Sequence, residues 1–163
     1  MGNGIAGQAK NMDVSAKFRV RIDTFQDSDF AECSGLKAVI EVAEYWSGGE
    51  ATAHKQYTGK VSFPDLTLHR GSCADYDVYE WFSACMQMTA AAAGADAVGV
   101  TYPNNVKNVE ICQLDMDGSV KKSWTVRCFP KEFSPCDGGW KGDSKDVVVE
   151  SLVLAVLSFD LSG

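Results

Sequence analysis

The sequence contains no closely spaced pair of cysteines, two histidines, and no apolar run long enough to cross a bilayer. Each of these shortages removes a class of function. Structural zinc sites and redox motifs depend on tight local cysteine spacing, and the six cysteines (Cys33, Cys73, Cys85, Cys112, Cys128, Cys136) are scattered along the chain. A bilayer span needs about 20 apolar residues. The longest apolar stretch, Val147 to Leu157, is interrupted by Glu150 and Ser151. Cationic charge is also short. A formal net charge of −7 argues against a surface built to neutralise phosphates, although a local basic patch stays compatible with it.

The motifs of catalysis are missing as well. The chain has neither a Gly-x-Ser-x-Gly elbow nor a Gly-x-x-x-x-Gly-Lys-Ser/Thr phosphate loop. His54 and His69 have no placed cysteine, serine or carboxylate partner in the sequence, so they read as surface or satisfied residues. Asp27, Asp29 and Glu32 cluster near a turn, where solvation explains them better than a carboxylate dyad does. Asp115-x-Asp117-Gly118 resembles the opening of a calcium loop, but Lys121 and Lys122 follow where acidic ligands should stand. It reads instead as a hairpin turn. No metal, no cofactor and no catalytic site are expected, and the protein is not expected to be an enzyme.

What the sequence does hold is a single soluble β-rich domain. Its 163 residues are enough to bury a core without staples. Residues 1–15 have no hydrophobic h-region, and Ala6 stands where a myristoylation site wants Ser or Thr, so they read as a flexible arm made in a reducing compartment. Residues 16–163 form the domain. Disulfides are not expected there, and Cys85, Cys112 and Cys128 read as small apolar core residues.

Ala16 to Asp23 alternates cleanly, with Phe18, Val20 and Ile22 on one face, which predicts a half-buried strand. Phe30 to Trp46 reads as one long strand, broken by Ser47-Gly48-Gly49. A polar, glycine-hinged loop is expected from Glu44 to Gly59, and a third strand from Val61 to Leu68, bulged or on an edge because of Pro64. A helix is expected from Asp77 as cap, with Glu80 completing a capping-box-like pair and Val78, Trp81, Phe82 and Cys85 on its apolar face. The alanine run Ala90 to Ala93 prolongs it, and the segment to Asn105 reads as a loop. Val109 to Leu114 and Val120 to Cys128 flank the Asp-Gly turn; Pro130 and Pro135 mark an irregular connection, and Val147 to Phe159 is a strand covered on both faces. About six antiparallel strands and one main helix make an α+β, β-rich domain of barrel or sandwich type. Tyr45 and Trp46, at a strand end beside a flexible tip, read either as rim aromatics over their own core or as interface anchors.

Taken in order, several segments resemble the tail tube protein family of T4-like phages and contractile injection systems. Phe18 to Asp23 resembles its first strand. Phe30-x-Glu32-x-Ser34-Gly35-Leu36 and Glu44-Tyr45-x-x-Gly48-Gly49 resemble two of its signatures. Gly59-Lys60-x-x-Phe63-Pro64 through Arg70-Gly71 is similar to a third, Trp81 sits in the matching helix start, and Trp124 follows the hairpin. The segment 90–105 looks like an insertion relative to the family.

The resemblance implies the phage tail tube fold, assembled as a hexameric ring. Rings would stack into a hollow inner tube, propelled by sheath contraction and carrying luminal cargo or DNA. The implied partners are further copies of the chain, a sheath protein, baseplate and tube-initiator proteins, and a terminator or cap. The implied location is the cytoplasm at synthesis, then a virion tail or an injection particle. Ring stacking is expected to fall on Glu44, Tyr45, Trp46, Gly48, Gly49, Glu50, Tyr57 and Gly59. The alternative is a β-rich binding or cargo-carrier protein of the same fold that works without forming tubes.

Overall fold

The computed structural model describes residues 17–23, 25, 30–72, 76–93 and 106–162. The expected arm at 1–15 and the expected insertion at 90–105, apart from the end of the helix, lie outside them. Eight strands and one helix occur among the described residues. They are β1 (Phe18–Ile22), β2 (Phe30–Ser34), β3 (Val39–Tyr45), β4 (His54–Ser62), β5 (Leu66–Gly71), α1 (Asp77–Ala93), β6 (Lys107–Leu114), β7 (Val120–Ser134) and β8 (Val149–Leu161).

Six of the strands form one antiparallel sheet in the order β1-β6-β7-β8-β5-β2. The sheet curls into a nearly closed barrel, because Val20 and Ile22 from one edge strand and Phe30 from the other share a single core. Leu66, Leu68, Val109, Ile111, Val126, Cys128, Leu152 and Leu154 fill that core from the strands between. The alternation of β1 read from the sequence holds: Val20 and Ile22 are buried and Arg21 is exposed. Helix α1 closes the structure by setting Val78 and Trp81 into the same core, with Phe82 and Tyr79 against Phe133 of β7.

The two longest strands, β7 and β8, pair along most of their length. Their register shifts between Arg127 and Cys128 and again between Pro130 and Glu132. Such bulges sharpen local twist and let one strand serve two walls of a barrel. Pro130 therefore does not end the strand as the sequence suggested. Strand β6 stops opposite Cys128, so on that flank no described strand calls for the N–H that Pro130 lacks.

Other expected boundaries also move. The stretch Phe30 to Trp46 is two strands rather than one, because Gly35 turns the chain with φ +94°. A Cβ at that position would lie 2.3 Å from the Asp65 carbonyl oxygen, so only glycine fits. The expected strand Val61 to Leu68 is likewise interrupted at 63–65, around Pro64. Asp77 lies inside the first helical turn instead of capping it: the Glu80 N–H donates to Tyr76 O at 2.8 Å, which makes Tyr76 the capping position. The Asp-Gly hairpin is as read. Asp115 N–H donates to Ser119 O at 2.8 Å, and Gly118 takes φ +87°.

Candidate functional site: an assembly surface

The remaining two strands, β3 and β4, form a ribbon of their own, outside the barrel sheet. Every residue in both strands is exposed. Two-stranded ribbons without a third strand or a covering element are marginal in water, so a ribbon this long without a buried side chain calls for a partner. The segment from Glu44 to Gly59, expected as a loop, is most of this hairpin. Its second strand escaped detection because Lys55, Gln56, Thr58 and Lys60 surround Tyr57, leaving no apolar alternation to read.

The ribbon register places each expected contact residue. Glu44 faces Lys55 across the strands with an ion pair of 3.7 Å, and Tyr45 faces His54. Trp46 follows β3 directly, and the turn beyond it is closed by the Glu50 N–H donating to Ser47 O at 3.2 Å. Gly48 and Gly49 form that turn, Gly49 with φ +88°. The Glu50 carboxylate reaches back to His54 Nε2 at 2.7 Å, which ties the tip to the start of β4. Tyr57 stands opposite Val42, and Gly59 with φ +85° sits in a bulge where residues 58–60 oppose Glu41. Thr58 Oγ1 donates to Glu41 O at 3.3 Å across that bulge. The aromatics are far from buried: Tyr45, Trp46 and Tyr57 expose 68%, 61% and 70% of their surface. Tyr45 and Trp46 therefore do not cover their own core.

The remaining motif residues belong to the ribbon's socket and the barrel. Ser34 ends β2, Gly35 makes its close approach to Asp65, and Leu36 packs against the core. Pro64 lies in the return segment beside Phe63, whose ring stacks edge-on to Phe159 at 5.8 Å. Asp65 is held on the barrel side by Lys131 Nζ at 2.7 Å, which raises the lysine pKa through the hydrogen bond and the facing charge. Arg70 is buried, with Nε donating to Glu150 Oε2 at 2.9 Å and its guanidinium 5.9 Å from the Phe30 ring centroid. Gly71 closes β5, and Trp81 and Trp124 pack at the core. Sequence reading missed Glu150 as the partner of Arg70; only the β5–β8 register, which sets the two side by side, could have paired them.

No group of three or more His, Cys, Asp or Glu side chains suited to a metal occurs among the described residues. Of the described cysteines all five are free thiols. Burial pushes Cys128 up to about 12 and Cys33 up to about 11. Cys112 is buried as expected, but on the sheet face away from the core, in register with Arg19 and Ser123. Cys33, Cys85, Cys112 and Cys128 are all shifted upward with burial as the leading cause, which favours the unreactive thiol over the thiolate.

An isolated ribbon on a nearly closed barrel with one helix is an architecture that other proteins share. The family model for the T4-like virus tail tube protein gp19 matches residues 14–160. The chain belongs to this tail tube family. The tube protein is thus a structural subunit of the T4-like virus tail tube kind, and not an enzyme.

Solved structures agree on the fold. One is a chain of the PVC sheath–tube complex of an extracellular contractile injection system in the extended state, at TM-score 0.72 and 16% identity, covering 95% of this chain and 94% of that one. A chain of the PVC sheath/tube terminator structure gives TM-score 0.74 at 16% identity, with 95% and 99% covered. A chain of the anti-feeding prophage baseplate gives TM-score 0.71 at 20% identity, with 94% and 97% covered. A comparison with curated proteins returns no match. No helix among the described residues is long and apolar enough to cross a membrane.

Proposed function

We propose that this tube protein is the protomer of the inner tube of a contractile injection machine, forming hexameric rings that stack into a hollow conduit. A surrounding sheath drives the conduit on contraction, and cargo or DNA travels in its lumen. The observation that carries the reading is the ribbon: sixteen strand residues, all exposed, on a subunit whose other six strands share one sheet around a core. A heterologous contact repeated around a closed ring would cover such an element in every copy and leave no ring edge open.

The ribbon tip from Glu44 to Gly59 serves ring-to-ring contact in this reading, with Tyr45, Trp46 and Tyr57 as anchors of the type enriched at interfaces. Baseplate, tube-initiator and terminator proteins would meet the two ends of the tube. The similar chains in sheath–tube, baseplate and terminator structures support that set of partners.

The test is assembly of the purified chain, followed by sizing and negative-stain microscopy. Rings or tubes with a central hole are expected, alone or with sheath and baseplate partners added. A strictly monomeric species at high concentration with those partners present would instead support a β-rich carrier that never forms tubes. Deleting Gly48 to Ala53 shortens the ribbon tip without touching a buried residue, so a folded subunit that makes no long tubes is expected. Tubes of normal length from that deletion would refute the stacking role of the tip.

A further inference from the structure

Away from the core, strands β1, β6 and β7 present an outward face whose rows follow from the register. Residues opposite one another on antiparallel strands share a face, and alternate residues along one strand return to it. Val20, Ile22, Val109, Ile111 and Val126 point into the core, so their strand neighbours point outward. Arg19 stands in one row with Cys112 and Ser123. In the next row Arg21 faces Glu110, followed by Thr125 and Asp160. Arg127 lies in a third row, opposite Asn108.

This face reverses the charge balance of the chain. Three of the four arginines are here, on a protein of net charge −7. Lys17, whose O accepts from the Leu114 N–H at 2.9 Å, prolongs the β1 row, and Lys121 is exposed at the start of β7. Against them stand Glu110, Asp160 and, just past β1, Asp23. The acids are fewer than the cations, so the face is the local basic patch with which the overall charge stays compatible. Arg19 adds a second observation: its Nε is buried with no hydrogen-bond acceptor among the described residues. Buried donors without a partner are rare in native structures.

We propose that this face binds an extended acidic polypeptide segment, whose carboxylates are taken by Arg19, Arg21 and Arg127. The proposal rests on the tube-protomer reading for the source of the segment, a protein passenger in the conduit, and deepens that reading by naming the passenger's chemistry. A guanidinium can pair with a carboxylate through two parallel hydrogen bonds. Arg19 and Arg21 are two residues apart on one strand, about 6.6–6.8 Å, which is also the repeat of same-side side chains in an extended peptide. Single-stranded nucleic acid is the poorer match. Its affinity draws on aromatic platforms for the bases, and the rows named above hold no aromatic side chain. Glu110 and Asp160 would also meet a continuous line of phosphates, whereas a peptide can set uncharged residues against them. Each contact is partly solvated and weak by itself. Copies repeated around a ring would add by avidity, holding a passenger without fixing it in place.

The experiment uses the full chain, free and assembled, with a labelled polyglutamate peptide read by fluorescence anisotropy. An oligothymidylate of the same charge is the competing probe. Arg19→Gln and Arg127→Gln alter the face, and Lys145→Gln removes an exposed cation elsewhere, between β7 and β8. Arg127 is exposed, so its variant keeps the test decisive even where Arg19→Gln fails to fold. The peptide should bind at about 20 mM salt and at least tenfold more weakly at about 200 mM. Each arginine variant should weaken binding at least threefold, and Lys145→Gln should change it less than twofold. The oligothymidylate should bind at least tenfold more weakly than the peptide.

No binding at low salt, an oligothymidylate that binds as tightly, or an equal loss in Lys145→Gln would overturn the proposal and leave the tube reading intact. Binding by free subunit that disappears in assembled tubes would show that another copy covers the face, and would overturn it as well. A chain that binds the peptide as expected but forms no rings under any condition would uphold the face and refute the tube reading.

Discussion

Replacing Gly35 with alanine should be one of the most damaging single-methyl additions available to this protein. Two separable costs operate there. The backbone at Gly35 has φ +94°, and holding a non-glycine residue in that region costs about 1–3 kcal/mol. The added Cβ would also stand 2.3 Å from Asp65 O, a backbone atom that cannot rotate away. Displacing the 63–65 segment to relieve it resembles overpacking, at about 1–3 kcal/mol more.

Gly118 is the matched control, because its φ is +87° with nothing within 4 Å of a built Cβ. Gly118→Ala should carry the conformational cost alone. Urea unfolding of dilute subunit, followed by fluorescence of the core tryptophans, separates the two. With an m-value of about 2 kcal/mol/M, Gly35→Ala should lower the midpoint by about 1–3 M and Gly118→Ala by about 0.5–1.5 M. Equal shifts in the two variants would show that the 63–65 segment yields freely, and the close-approach argument would fail.

Arg70→Met takes the guanidinium from the half-buried Glu150 carboxylate, which keeps the Ser72 hydroxyl as a side-chain donor, and should cost about 1–3 kcal/mol, whereas Arg70→Met with Glu150→Leu should recover most of the loss in the same unfolding assay. Burial raises the folded-state pKa of Cys128 to about 12 and of Cys33 to about 11 from the ordinary 9.0, so the native state holds these protons longer than the unfolded chain. Their contribution to stability is complete below pH 9 and is lost as pH rises through those values; an alkaline titration of the unfolding midpoint should fall across that window. Iodoacetamide at pH 8 should accordingly modify Cys128 and Cys33 far more slowly than the same thiols in urea, read by mass spectrometry; equal rates would contradict their burial.

How far the sequence revealed the fold depended on whether a strand has a buried face. In β1 the Phe18, Val20, Ile22 alternation is a direct image of the core, and the Asp115 to Gly118 turn announces the β6–β7 hairpin chemically. Strand β4 has no inside, so periodicity had nothing to report and Lys55 to Gly59 read as loop. The break after Ser34 was hidden for another reason. Gly35 could be recognised as part of a motif, but its positive φ and its clash partner thirty residues on are facts of the fold alone. The same holds for the candidate surface. Tyr45, Trp46 and Tyr57 were legible as unusual aromatics, but Tyr57 and Val42 could be placed on one face only once the bulge at residues 58–60 fixed the register.

The junction at the foot of the ribbon has a mechanical consequence. The two segments that carry the ribbon are clamped from both sides: Gly35 sits against Asp65, Lys131 grips Asp65, and Phe63 lies on Phe159. A projection held at two short, cross-braced roots transmits bending to the barrel rather than swivelling at its base. Subunits joined through such arms would inherit a fixed angle at every joint. A column built from them would resist buckling when pushed from one end, which is the load a driven conduit has to bear.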